Sequence, residues 1–151
     1  YGPNDNFDRD SFHVIPGMIR KFNDAMNNGE DTVTLWGSGS PKREFLHVDD
    51  LADGCVFLLE RYSGPEFINI GYGSDISITD LAGIIKRATG FQGGIEWDIT
   101  KPDGAPRKLL DISKISTLGW KPSIDLESGI KSTYRWYVEN RHQLRAVENH
   151  D

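Results

Sequence analysis

The sequence predicts an α/β fold. Apolar residues recur at helical spacing in several separate stretches, and short β-branched or apolar runs lie between them. Turn and cap residues leave only short connections, so strands and helices alternate along the chain. A length of 151 residues suits one compact domain and leaves little room for two.

The first twelve residues, YGPNDNFDRDSF, are turn-rich and acidic, and read as a loop ordered by packing on something else. Its opening Tyr1-Gly2-Pro3 is a turn in which Pro3 fixes its own φ, and it reads as the middle of a longer polypeptide. A helix follows. Pro16 sits in its first turn, where a missing N–H is tolerated. Ile15, Met18, Ile19, Phe22 and Met26 form its apolar face, and Asn27-Asn28-Gly29 ends it. Residues 32–36, TVTLW, are β-branched and apolar, hence a strand. GSGSPK reads as a hairpin turn into a second extended run at 43–48.

A second helix begins near residue 49, with Asp49 or Asp50 as the expected N-cap. Leu51, Cys55, Leu58, Leu59 and Tyr62 share one face, and Gly64-Pro65 stops the element. Residues 66–71 are expected to be a strand. The third helix carries complete boundary chemistry. Ser77 and Asp80 fit a capping box, Ile76 and Leu81 a hydrophobic staple, and Gly90 a C-terminal stop. Leu81, Ile84, Ile85 and Ala88 are its buried stripe. Residues 94–99 read as a strand, and RKLLDISKISTLGW as a strand and a short helix. A last helix starts at Ile124-Asp125, with Leu126, Ile130, Tyr134 and Tyr137 on one face; the closing RAVENHD is expected to fray.

Composition narrows the function. A net charge of -6 argues against general nucleic-acid binding, though it allows a local basic pocket. No apolar run approaches the roughly 20 residues of a spanning helix. The single cysteine, Cys55, gives no disulfide framework, and its place on an apolar helical face reads as a buried hydrophobe. Neither GSGSPK nor GYGSDI completes the dinucleotide fingerprint. There is no Walker lysine, no Tyr followed four residues later by Lys, and no metal-spaced Cys/His set.

What remains is cationic. Arg20-Lys21, Lys42-Arg43, Lys101 and Arg107-Lys108 come from four separated segments. Each alone reads as a solvated charge; together they could converge on a diphosphate. Arg43 stands out, because it follows a Gly-rich turn and a guanidinium grips phosphate oxygens bidentately. His13, between a polar loop and an apolar helix start, is either structural or a proton shuttle near neutral pH. His47 is expected to pack or cap. Trp36, beside the turn, reads as core or as a stacking surface for a base.

Four collinear strings carry a resemblance over nearly the whole chain. They are YGPNDNF…SFHVIPGMIRKF, VTLWGSGSPKREFLHVDDLADGCVFLLE, INIGYGSDISITDLAGIIKRATGF and KPDGAPRKLLDISKISTLGWKPSIDLESGI. They resemble the GDP-L-fucose synthases, the GDP-4-keto-6-deoxy-D-mannose 3,5-epimerase/4-reductases of the extended short-chain dehydrogenase/reductase superfamily. The pattern G-x-G-x-x-x-R-E/D-F-x-H-V-x-D marks only the nucleotide-sugar branch; YGPNDNF, the HVIP segment and KPDG-x-PRKLLD are more specific. Where that family usually reads SHVIP, this chain has Ser11-Phe12-His13-Val14, which shifts the preceding loop but keeps the histidine.

The resemblance implies a single substrate-binding α/β domain over 1–151. It would be the carboxy-terminal domain of an extended short-chain dehydrogenase/reductase lacking most of the Rossmann domain. Residues 43–62 would be a strand–helix segment packing on that missing domain. His13 is implied as the epimerisation acid/base, working with a cysteine outside this chain; Cys55 is not at that cysteine's position. The chemistry is reasonable, because protons at C3 and C5 flank the C4 ketone, and inversion needs a base on one face and an acid on the other. Lys21, Trp36, Arg43 and Lys101 are implied as substrate-binding, although the family often has Arg where Lys21 stands. Tyr1, Gly2 and Pro3 are implied beside NADP, which the missing domain would mainly hold. The implied ligands are GDP-4-keto-6-deoxy-D-mannose and GDP-L-fucose, with no nucleic acid, membrane or metal. The implied protein is a cytoplasmic homodimer, and the 151 residues alone are expected to be inactive. The alternatives are another nucleotide-sugar epimerase, dehydratase or reductase, or a freestanding non-catalytic binding domain.

Overall fold

The structure, a computed structural model, describes residues 1–8 and 11–148, with side chains through residue 142. The chain runs α1 (Val14–Asn28), β1 (Thr32–Trp36), β2 (Lys42–Arg43), α2 (Val48–Arg61), β3 (Ile76–Ser77), α3 (Ile78–Thr89), β4 (Gly94–Asp98), β5 (Arg107–Lys108), α4 (Ser113–Thr117) and α5 (Leu126–Glu148). Alternation of helix and strand is as the sequence predicts. α5 extends into the closing RAVENHD as far as Glu148; residues 149–151 lie outside the described residues.

The core lies among α1, α3, α5 and β1. Ile15, Ile19 and Phe22 meet Leu81 and Ile85, Ile130, and the inward Val33 and Leu35. Each such side chain contributes about 1.5–3 kcal/mol on burial. Gly29 ends α1 in the left-handed conformation at φ 69°. Met26, expected on the buried face, is exposed, and Ala25 takes the inward place in that last turn. Ser77 caps α3 as predicted, with the Asp80 carboxylate turned back onto the Ser77 hydroxyl. The Ser77 hydroxyl accepts from the Asp80 amide at 3.0 Å and donates to its carboxylate at 2.6 Å.

The sheets correct the hairpin expectation. β1 pairs in parallel with β4, Thr32 opposite Gly94 through Trp36 opposite Asp98. β2 belongs to a second sheet of order β3-β2-β5, antiparallel to β3 and parallel to β5. The Gly37 amide continues the ladder to Asp98 O, and Gly39 O receives the Thr79 amide. The groups a hairpin would have sent across to β2 are therefore used elsewhere, and the turn hands the chain from one sheet to the other. Two strand expectations also shrink. Only Lys42 and Arg43 pair from the run around 43–48, and 66–71 joins no ladder. The backbone just beyond it is held by a side chain instead, since Glu44 Oε2 accepts from Tyr72 N at 3.0 Å and Gly73 N at 3.2 Å.

α2 leaves much of its apolar face uncovered, with Leu58 and Tyr62 half-buried on it and Leu51, Cys55 and Leu59 exposed. Its buried residues are Asp50 and Gly54. Gly54 fits because a Cβ there would stand 3.0 Å from both Ile70 and the Trp120 ring. Neither Asp49 nor Asp50 caps the helix. His47 does, its Nδ1 accepting from Asp49 N at 3.2 Å, while Asp50 reaches across to Ser123 and Ile124 at the approach to α5. Leu51, Cys55 and Leu59 consequently face outward, and Cys55 is exposed rather than buried.

Candidate functional site

The site begins with strand alternation. Val33 and Leu35 point into the core, which sends Thr34 and Trp36 to the opposite face. Trp36 is 67% exposed, so the core-packing reading of this residue fails. Two lysines stand over its indole from different parts of the chain. Lys21 Nζ, from α1, is 5.3 Å from the ring centroid, and Lys101 Nζ, from the loop after β4, is 5.6 Å away. Such contacts contribute about 0.5–1 kcal/mol each at exposed sites. Lys21 also donates to Thr34 O at 3.0 Å, and partial burial lowers its pKa.

Arg43 is placed by β2. Its backbone is paired with Ile76 on one side and Lys108 on the other, and its Nη1 donates to Lys42 O at 2.7 Å. The other terminal nitrogen lies against Gly104, about 3.0 Å from where a Cβ would stand. These elements enclose a cleft of about 310 Å³ whose lining includes Phe12, Lys21, Trp36, Arg43, Asp103 and Gly104. Phe12 seals one side by packing on Gly17, where any Cβ would overlap its ring. Three of the four expected substrate-binding residues thus line one cleft, and Lys101 joins them through the Trp36 ring. Apolar walls, an exposed indole and converging cations suit a ligand with a planar ring and an anionic group.

His13 is the N-cap residue of α1 by backbone position, with φ -82° and ψ 177°, but its side chain makes no capping bond. Its neighbours Phe12 and Val14 line the cleft, while His13 itself is exposed and is not among the lining residues. Tyr1, Gly2 and Pro3 lie elsewhere, against the start of α2. The Tyr1 ring meets His47 edge-on at 5.3 Å, Tyr1 O accepts from Val48 N at 2.8 Å, and burial pushes the Tyr1 hydroxyl pKa well up. Gly2 has φ 153°, and a Cβ there would stand 2.5 Å from Val48 Cγ1.

Not every expected cation converges. Arg20 is buried, and its Nη1 donates to Phe7 O at 2.7 Å, a structural use in the core. Arg107 pairs with Asp75. His47 caps, as its setting suggested. Sequence reasoning missed Phe12, Ser38 and Asp103 as parts of the site. Only the glycines around Ser38 and the Pro-Asp-Gly turn at 102–104 hinted at a close approach of two loops.

The model of the NAD dependent epimerase/dehydratase family matches residues 1–71. GDP-L-fucose synthase 1 of Arabidopsis thaliana is 56% identical over 140 residues, covering 93% of this chain and 43% of that protein. GDP-L-fucose synthase of Escherichia coli (strain K12) is 43% identical over 155 residues, covering 97% of this chain and 48% of that protein. The crystal structure of a GDP-L-fucose synthetase from Naegleria fowleri bound to NADP matches with a TM-score of 0.89 at 32% identity, over 94% of this chain and 45% of that one. The chain spans about half the length of the relatives it matches. In sequence and in fold, this chain is homologous to a part of the GDP-L-fucose synthases, with its first 71 residues matching the NAD dependent epimerase/dehydratase family.

Proposed function

We propose that the chain is the GDP-sugar-binding, carboxy-terminal part of a GDP-L-fucose synthase. Such an enzyme inverts C3 and C5 of GDP-4-keto-6-deoxy-D-mannose and reduces C4 with NADPH to give GDP-L-fucose. The observation that supports this most is the meeting of Lys21, Trp36, Arg43 and Lys101 around one cleft. Arg43 grips the diphosphate in a bidentate manner, Lys21 and Lys101 add point charges, and Trp36 offers its exposed ring as the wall beside the nucleotide. His13 exchanges a proton with C3 or C5, where the adjacent C4 ketone stabilises the carbanion as an enolate.

NADP, when bound, supplies the hydride for C4. Tyr1, Gly2 and Pro3 are this chain's share of that pocket. The backbone of Tyr1 is committed to Leu46 O and Val48 N, and Gly2 packs on Val48, which leaves the half-exposed edges of Tyr1 and Pro3 to meet a cofactor. Residues 43–62 pack on the cofactor-binding domain through the outward face of α2. The reading includes a cytoplasmic homodimer; among the described residues, no helix is long and apolar enough to cross a membrane.

Calorimetric titration with GDP, UDP and dTDP tests the assignment. GDP is expected to bind most tightly, and a preference for UDP or dTDP would point to another nucleotide-sugar enzyme. The 151 residues alone are expected to oxidise no NADPH with GDP-4-keto-6-deoxy-D-mannose.

A further inference from the structure

The loop that carries Lys101 is tied down at both ends. At its start, Asp98 Oδ1 accepts from the Thr100 amide at 3.1 Å and from its hydroxyl at 2.5 Å, and Lys101 N donates to Asp98 O at 3.2 Å. At its far end Asp103 reaches the turn between the two sheets. Asp103 Oδ1 accepts from Ser38 N at 2.9 Å, and Oδ2 accepts from the Ser38 hydroxyl at 2.6 Å. One carboxylate therefore takes both donors of a residue 65 positions away. The Ser38 hydroxyl oxygen in turn accepts from Ser40 N at 3.2 Å, so the clamp also braces the turn. Gly37 makes room for it. It has φ 81°, and a Cβ there would overlap Asp103 Oδ1.

The charge of Asp103 needs a use. It lines the same cleft as Lys21 and Arg43, and follows Lys101 by two residues. A carboxylate free to turn inward would pair with those cations and oppose an anionic ligand. With both oxygens on Ser38 that charge is occupied, and the Ser38 hydroxyl and amide hold the Asp103 carboxyl below the usual carboxylate range. The same clamp sets Gly104 against the Arg43 guanidinium and leaves Lys101 over Trp36.

We propose that Asp103 is a positioning residue. By clamping Ser38 it holds the 101–104 loop beside the cleft, so that Lys101 and Arg43 present their charges together to one diphosphate. This rests on the GDP-sugar reading of the site. Asp103 touches no phosphate itself; it acts through Lys101 and Arg43.

GDP affinity and amide hydrogen exchange, measured on the 151-residue chain and its variants, test the proposal. Asp103→Ala is expected to weaken GDP roughly tenfold, the equivalent of one charge-assisted hydrogen bond. It should also speed exchange at Ser38 and in the 101–104 loop while α1 and α3 stay protected. Asp103→Asn, which keeps an acceptor for the Ser38 amide, should recover most of the affinity. Ser38→Ala should weaken GDP in the same direction, and the double variant should bind no more weakly than Asp103→Ala. Should Asp103→Ala unfold the core, Ser38→Ala and Asp103→Asn carry the same comparison. Wild-type GDP binding that Asp103→Ala and Ser38→Ala leave unchanged would overturn the clamp alone. Tighter binding by Asp103→Asn than by wild type would do so too, because it would make the charge a brake. No GDP binding by the wild type would remove the site reading and the proposal together.

Discussion

In the proposed GDP-sugar reading, Arg43 and Lys21 serve one anion by different physics. Arg43 is held by a strand ladder on both sides of its backbone and by its own bond to Lys42 O, so little side-chain freedom remains to be lost on binding. A lysine there would keep the charge but lose the fork. Arg43→Lys is therefore expected to weaken GDP by about tenfold, read by calorimetry. Lys21 is partly buried, and burial disfavours its charged form, so its pKa is lowered. Its charge is therefore lost in a lower pH range than that of an exposed lysine. GDP affinity should accordingly fall as pH rises into that range, and Lys21→Arg should abolish the early part of the fall. A pH titration of binding that shows no difference between the two proteins would remove Lys21 from the site.

At the scale of elements, α2 is anchored by polar groups. His47 is 3% exposed and caps it, and Asp50 joins it to the start of α5. Asp50 Oδ1 accepts from Ser123 N at 3.0 Å and from its hydroxyl at 2.8 Å, and Oδ2 accepts from Ile124 N at 3.0 Å. Burial works against the Asp50 charge, but these bonds outweigh it and the pKa is lowered. A carboxyl whose folded pKa lies below its unfolded value contributes stability that is present above the unfolded pKa. That contribution is lost as pH falls through the lowered one. Asp50→Ala would strand two backbone amides and is expected to cost about 2–4 kcal/mol, measured by urea denaturation at neutral pH. The difference from wild type should shrink in acid.

The whole molecule has two unlike faces. One carries the cleft with its cations. The other is the outer side of α2, where Leu51, Val56 and Leu59 are exposed, Leu59 at 84%. A side chain that exposed contributes little to folding. Leu59→Lys should therefore leave the unfolding free energy in urea within about 0.5 kcal/mol of wild type while reducing self-association in sedimentation. A large loss of stability would mean that α2 is covered by its own chain.

Local chemistry was legible from residue order alone. The Ser77 cap of α3, the Gly29 and Gly90 stops, the alternation of β1 and the apolar stripes of α1 and α3 depend on contacts a few residues apart. The same order offered the cations Lys21, Arg43 and Lys101, though it could not separate them from Arg20 and Arg107. Tertiary structure decided the rest. Strand partners were settled by which backbone groups were already used, so β1 went to β4 and the apparent hairpin dissolved. The facing of α2 was settled by Gly54 admitting Trp120 and by Asp50 finding amides 73 and 74 residues away, which leaves part of its apolar face uncovered. Asp103 became visible only when its loop met Ser38. A hydrophobic pattern says which side chains avoid water, but only the packed chain shows which donors and acceptors come within about 3 Å of each other.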